Sequence, residues 1–486
     1  MVDDIIIKVL VPSSWDEYTA NATSITLNDL DPSTLYMAKV IGKCGSNGQS
    51  EPSNAIYFTT GQETFTKDIE AHGEGNGGWY LIASPLADQT DATAVTNLAN
   101  IDDNSGFDLY RFNQTADLEW ENWKSRVNND DHYHFNLESG RGYLYANSED
   151  VTLTFTGTPY SGEGEVILAY SEDNDDPNMW GWNLVGNPFA EDAYIVGKPF
   201  YTMNEERTGL IAEPTTGVIP AMEGVFVYAE ENGATLTFST NEPESNGDAL
   251  TLNVSKGRSV IDRAIVNFGH PSALRQAQGS GTGQTLPKFQ LDPNHTKVYI
   301  PQGGKDYAVV NAENQGEMPV NFRAEENGTY TITINSEGVE MSYLHLIDNM
   351  TGADVDLLTP PAFGHPLTEG DLPLSKGGRG DSKPASYTFE AKTTDYESRF
   401  KLVFACGDAN DDNADAPFAF IDGSGNIIIT TDAFDASLQV VDVMGRVVVS
   451  RGGRIQCVPT TGMIPGVYVL RLINGEDVRV QKIVVR

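Results

Sequence analysis

Ser437-Leu438-Gln439-Val440-Val441-Asp442-Val443-Met444-Gly445-Arg446-Val447-Val448-Val449 is followed by a polar break, then by Pro465-Gly466-Val467-Tyr468-Val469-Leu470-Arg471-Leu472, and closes on Lys482-Ile483-Val484-Val485-Arg486. Alternating apolar runs parted by Gly-bearing turns are the pattern of short antiparallel strands. Residues 417–486 therefore read as a small all-β module. The same period runs back through the chain. Leu250-Thr251-Leu252-Asn253-Val254, Lys297-Val298-Tyr299-Ile300, Tyr330-Thr331-Ile332-Thr333-Ile334, Leu344-His345-Leu346-Ile347-Asp348, Tyr387-Thr388-Phe389-Glu390-Ala391 and Phe400-Lys401-Leu402-Val403-Phe404 are strand patterns, and no helical period is sustained anywhere. The expected fold class is all-β, a multi-domain string of antiparallel β-sandwiches.

The C-terminal module resembles the sorting domain of cargo for the type IX (Por) secretion system of Bacteroidetes. The resemblance rests on Asp442, Gly445 and Arg446 after an alternating strand, on Pro465, Gly466 and Tyr468 with Arg471 following, and on the terminal Lys482-Ile483-Val484-Val485. It implies an address that carries the rest of the chain across the outer membrane and is then cleaved. Its implied partners are the type IX translocon and its sortase, and the implied destination is the cell surface or the medium. Type IX cargo carries a signal peptide, whereas Met1-Val2-Asp3-Asp4 has no basic n-region.

Length and charge bound the remaining chain. A chain of 486 residues exceeds one core and implies several domains. With 69 acidic against 31 basic residues, the net charge of -38 argues against nucleic acid or anionic lipid as a partner. From Thr431 onward five acids (Asp432, Asp435, Asp442, Glu476, Asp477) face seven bases (Arg446, Arg451, Arg454, Arg471, Arg479, Lys482, Arg486), which sets the last module apart. Cys44, Cys406 and Cys457 have no disulfide or metal-ligand spacing, and no apolar run has the length of a transmembrane helix.

In residues 1–61, Leu30, Pro32, Thr34 and Tyr36 precede a Ser50-Glu51-Pro52-Ser53 turn and the exit Phe58-Thr59-Thr60. This resembles the second half of a fibronectin type III module, with its tyrosine corner. On that resemblance Ile5 to Leu10 is strand C, Ile25 to Leu27 strand E, Tyr36 to Val40 strand F and Ile56 to Phe58 strand G. Strands A and B have no sequence to come from, so an incomplete sandwich is expected, with Met1 not the natural start.

Residues 62–160 and 161–242 form an internal repeat. Gly78-Trp79-Tyr80-Leu81-Ile82-Ala83-Ser84-Pro85-Leu86 returns as Gly181-Trp182-Asn183-Leu184-Val185-Gly186-Asn187-Pro188-Phe189, and Gly142-Tyr143-Leu144-Tyr145-Ala146 as Gly224-Val225-Phe226-Val227-Tyr228-Ala229. Phe155 should then superpose on Phe238, and Trp79 on Trp182, both as core anchors. Trp120, Trp123 and Trp180 lie outside the matched positions and are the candidates for stacking on a surface ligand, a glycan or a protein. Residues 243–405 read as a β-sandwich with two long loops, at 272–285 and 360–384, and residues 406–416 as a polar linker.

No nucleophile elbow, HExxH or Walker loop is present, and carboxylate pairs for glycoside hydrolysis are spatial and cannot be read from sequence. No organic cofactor is implied. Calcium is the ion that the oxygen-donor spacings suit: Asp102, Asn104 and Asp108 alternate, Glu172 to Asp176 is an acid cluster, and Asp408-x-Asn410-x-Asp412 opens like an EF-hand loop but lacks its Gly and Glu. His132 and His134 share a strand face without a third ligand. Arg379-Gly380-Asp381-Ser382 is the integrin-recognised tetrapeptide in a Gly-rich stretch. The expected function is a non-enzymatic, type IX-exported surface protein with an adhesive or display role. The competing expectation is the C-terminal accessory half of a secreted peptidase or glycosidase.

Overall fold

The computed structural model describes residues 4–11, 14–20, 25, 27, 30, 34–43, 48–72, 78–101, 106–116, 119–124, 134–243, 248–268, 285–358, 385–406, 418–430, 436–453, 457–475 and 477–485. Its elements are strands and two 3-10 turns, with no α-helix among the described residues. No helix there is long and apolar enough to cross a membrane. The loop at 360–384 with its Arg379 to Ser382 tetrapeptide, most of the loop at 272–285, the acidic run at 408–412, and Asp102, Asn104 and His132 lie outside the described residues.

In residues 1–61 the strands β1 (Asp4–Val11), β2 (Ser14–Ala20), β3 (Leu35–Lys43) and β4 (Ile56–Thr59) make one antiparallel sheet in the order β2-β1-β3-β4. Tyr36 is buried and stacks on Phe58 at 5.9 Å, while Leu35, Ile56 and Tyr57 are exposed. One expectation needs correction: Ile25 and Leu27, expected in strand E, lie in no strand. The strand β2 carries no sequence signal, yet it forms a full hairpin with β1 from Ile5↔Ala20 to Val11↔Ser14. Its sequence, Ser14-Trp15-Asp16-Glu17-Tyr18-Thr19-Ala20, carries charges on both faces and so lacks the alternation of a half-buried strand.

The next segment holds β5 (Glu63–Ile69), β6 (Tyr80–Ala83), β7 (Phe107–Phe112), β8 (Trp120–Asn122), β9 (Gly142–Asn147) and β10 (Val151–Gly157). Strands β5 and β10 pair, and the other four form a sheet in the order β6-β9-β7-β8. After them come β11 (Glu165–Ile167), β12 (Trp182–Gly186), β13 (Tyr194–Ile195), β14 (Phe200–Met203), β15 (Leu210–Glu213), β16 (Gly224–Tyr228) and β17 (Thr235–Ser239). Here β11 pairs with β17, and the sheet runs β12-β16-β14-β15, the same order strand for strand.

The period-2 rule explains why these sheets carry near-continuous apolar runs. In β6 and β9, Tyr80, Ile82, Tyr143 and Tyr145 face a core closed by β5 and β10, while Leu81 and Leu144 face the opposite way. In β12 and β16, Val185, Val225 and Val227 face β17, while Leu184 and Phe226 join Leu81 and Leu144. Both faces of each sheet are thus buried. The two repeat units meet through glycines. A Cβ on Gly186 would lie 2.5 Å from the Ala83 Cβ and 2.6 Å from the Arg141 carbonyl oxygen, and one on Gly142 would lie 2.6 Å from the Val185 carbonyl oxygen.

The third segment comprises β18 (Asp248–Lys256), β19 (Ser259–Phe268), β20 (Leu286–Pro287), β21 (Lys297–Gln302), β22 (Lys305–Ala312), β23 (Gln315–Arg323), β24 (Gly328–Glu337), β25 (Met341–Asp348), β26 (Ala353–Asp356), β27 (Ala385–Ala391) and β28 (Phe400–Cys406). They form one sheet, β26-β25-β28-β23-β21-β22-β19-β18-β24-β27, with β20 beside β22 and one parallel pair, β19 with β22. The sheet rolls on itself: Phe389 of β27, at one end, packs on Phe400 of β28 at 4.9 Å and on Phe322 of β23 at 5.1 Å, near the other end. The closure is bolted by Arg399. Its guanidinium donates to both oxygens of Asp348 (3.3 and 3.0 Å) and to the Glu390 carbonyl (2.7 Å), over the Phe389 ring at 4.4 Å.

Ala249, Ile265, Leu286, Phe289, Ala308 and Val309 of this segment enter the core shared by the two repeat units. The body is therefore joined through common cores. The chain ends in β29 (Ala419–Ile421), β30 (Asn426–Ile429), β31 (Ser437–Asp442), β32 (Val447–Gly452), β33 (Cys457–Pro459), β34 (Gly466–Asn474) and β35 (Asp477–Val485). Sheets β29-β30-β33 and β32-β31-β34-β35 enclose Phe418, Ile427, Leu438, Val440, Leu470, Leu472 and Ile483, a core that among the described residues includes none from outside 418–485.

Candidate functional site

A cleft of about 600 Å³ opens where three segments converge. Its volume lies within the range of ligand sites, about 300–1,000 Å³, and junctions between domains are favoured places for them. The first repeat unit supplies Trp79, Trp120 and Leu144. Trp79 and Trp120 are half-buried and each meets Tyr110 edge-on, at 5.9 and 6.4 Å.

The second unit supplies Glu206 and Thr208 from the turn between β14 and β15. Buried Asn204 builds that turn: its Oδ1 accepts from the Thr208 N–H at 2.9 Å, and its own N–H donates to the Gly209 carbonyl at 2.9 Å. The turn is tied to the first unit by the Trp79 N–H, which donates to the Arg207 carbonyl at 3.2 Å. Arg207 lies over the Tyr80 ring at 4.1 Å.

The rolled sheet supplies the third wall, with Lys256, Asp292, His295, Glu325, Glu326 and Tyr330. Lys256 pairs with Glu326, which holds its ammonium above the ordinary lysine range. His295 Nδ1 lies 3.3 Å from Glu325 Oε2, and the ring is packed so closely on Gly209 that a Cβ there would lie 2.8 Å from Nε2. Nε2 is buried without a hydrogen-bond partner. Asp292 accepts from the Asn294 N–H at 2.8 Å, and the Tyr330 hydroxyl donates to the Glu326 carbonyl at 2.8 Å.

The sequence-based candidates fare unevenly. Trp120 lines the cleft. Trp123 does not: it is 2% exposed, its indole N–H donates to the Phe135 carbonyl at 3.1 Å and its ring stacks on His134 at 4.3 Å, so no face remains for a ligand. Trp180 is half-buried, donates to the Asn174 carbonyl at 2.7 Å and is not among the residues that line the cleft. Trp182 is buried as expected, stacked on Phe289 at 4.4 Å. Trp79, its repeat partner, is not buried, because the first unit has no counterpart of Phe289 over that position. Glu206, Thr208 and His295 were not legible. Glu206 and Thr208 share one turn that lies far from His295 in sequence, and both stretches are ordinary polar turns.

Of the calcium positions, Asp108 lies in β7 with its carboxylate 2.8 Å from Lys124 Nζ, an arrangement that already satisfies its charge. The acid cluster at 172–176 is a run of local turns. Asp173 accepts from the Ser171 hydroxyl, and Asp176 caps the 3-10 turn Pro177–Met179 by accepting from the Asn178 N–H. Among the described residues no three His, Cys, Asp or Glu side chains are grouped to hold a metal ion. Cys406 and Cys457 are unpaired, and burial pushes the Cys406 thiol up to about 12.

The Asp442 to Arg446 stretch forms the turn between β31 and β32. The Gly445 N–H donates to the Asp442 carbonyl at 2.9 Å, and Gly445 takes φ +79°, as in hairpins that end in a glycine bulge. The Arg446 N–H donates to Asp442 Oδ1 (2.9 Å) and its guanidinium to Oδ2 (2.8 Å), with the Met444 N–H adding a third bond, and together they hold the Asp442 carboxyl below its usual range. Val443, Met444 and the Arg446 side chain stand in solvent. Tyr468 is buried, its hydroxyl donating to the Ile464 carbonyl at 2.8 Å, while Arg471 and Lys482 are exposed on the outer face of the same sheet. Pro465 and Gly466 lead into β34. No protein-family model matches the chain, and no curated protein matches it in sequence.

Proposed function

We propose that this is an exported β-domain protein with an adhesive or display role at the cell surface, and that residues 417–486 are its type IX sorting domain. The observation that carries the reading is the self-contained core of the C-terminal sandwich beneath a solvent-exposed Asp442–Arg446 hairpin. An address must be readable and removable, and a module whose core, among the described residues, takes none from the body meets both needs. Its departure from the acidic balance of the chain supports the same reading.

The test is a fusion of residues 417–486, with a signal peptide, to a neutral reporter in a type IX-competent host. The reporter is expected on the cell surface or in the medium. Retention in the periplasm would sink the reading.

A further inference from the structure

We propose that the cleft walled by Trp79, Trp120, Glu206 and His295 binds an uncharged saccharide. The inference rests on the adhesive reading only for its purpose, since binding by the purified chain and export of a fusion are separate measurements.

The chemistry of the walls makes the case. Two half-buried tryptophans from one repeat unit contribute aromatic surface to the lining. Carboxylates, a hydroxyl and an ammonium from the other two segments surround it. Sugar rings have an apolar C–H face and a rim of hydroxyls that both donate and accept, so they match an aromatic wall edged by mixed polar groups.

Charge then selects among saccharides. Four carboxylates against Lys256 leave the cleft negative, which repels uronic or sulfated sugars. Few of these carboxylates are free to pair with a cationic ligand. Glu326 is engaged by Lys256, Glu325 lies against His295, and Asp292 accepts a backbone N–H, leaving Glu206 as the carboxylate without a partner among the described residues. The cleft is also built rather than incidental. Buried Asn204 fixes the turn that presents Glu206 and Thr208, and His295 is wedged against that turn at Gly209 with a buried, unpartnered Nε2.

The test uses the purified full chain, titrated calorimetrically with gluco-, manno-, xylo- and chito-oligosaccharides, with polygalacturonate and with octa-arginine. At least one neutral oligosaccharide is expected to bind saturably, with an affinity that changes little between about 50 and about 500 mM salt. Trp79→Ala is expected to weaken it by about tenfold or more, as loss of an aromatic anchor does. Glu206→Gln, on an exposed turn, should weaken it by about threefold or more without touching the fold. Thermal unfolding of each variant checks that the body is intact. Absence of binding by every neutral probe overturns the proposal. So does binding that survives both substitutions, or salt-sensitive preference for octa-arginine or polygalacturonate.

Discussion

Trp79 and Trp182 hold the same place in the two repeat units, and their different surroundings separate fold from function. Trp182 is sealed by Phe289 from the rolled sheet, whereas Trp79 is left at the cleft. Trp182→Ala is expected to cost about 3–5 kcal/mol, the usual range for emptying a core tryptophan site. Trp79→Ala should cost clearly less, and urea unfolding of the two variants makes the comparison. Equal losses would show that Trp79 is a core anchor after all. The repeat made the shared position of these residues legible. It could not reveal which neighbour covers each unit's outer face, because Phe289 lies more than a hundred residues downstream of Trp182.

Arg399 and Asp348 make a second residue-scale case. Burial alone would raise the Asp348 carboxyl, but the Arg399 hydrogen bonds, the Met350 N–H and the guanidinium charge outweigh it and hold it below the usual carboxylate range. A depressed folded pKa means that this contribution is complete above the unfolded value, about pH 4, and is lost as pH falls through the folded value. Arg399→Met leaves Asp348 buried without its counter-ion and is expected to cost about 3–5 kcal/mol at neutral pH. The penalty should already be smaller at about pH 4, because burial without the guanidinium raises the variant's carboxyl and favours its protonation there. Urea unfolding at both pH values measures it, and a pH-independent penalty would contradict the assigned role.

At the scale of elements, alternation was a reliable guide wherever one face is buried, and the strands quoted from 250 to 404 lie in β18, β21, β24, β25, β27 and β28. It failed for β2, whose charges fall on both faces, and it could not show the parallel pairing of β19 with β22, which no local pattern encodes. The contact between repeat sheets depends on glycine. Gly186→Ala would push a methyl against the Arg141 backbone, which cannot move aside as a side chain would, and is expected to cost about 1–3 kcal/mol. Gly445 has open space around it but needs its left-handed φ, so Gly445→Val should cost about 1–2 kcal/mol in the C-terminal sandwich alone. Thermal unfolding that resolves the two transitions distinguishes these effects, and a Gly445→Val shift in the body's transition would contradict the separation of the cores.

At the scale of the molecule, the repeat units and the rolled sheet share one central core, while the terminal sandwich keeps its own. The cleft follows from the first fact, since its three walls are held in register by a common interior. The proposed removability of residues 417–486 rests on the second. Calorimetry of the full chain and of a truncation ending at Cys406 tests both most directly. Two transitions are expected in the full chain, and the truncation should lose one while the other keeps its midpoint within about 2 °C. A single cooperative transition, or a body that melts several degrees lower without residues 407–486, would contradict the account.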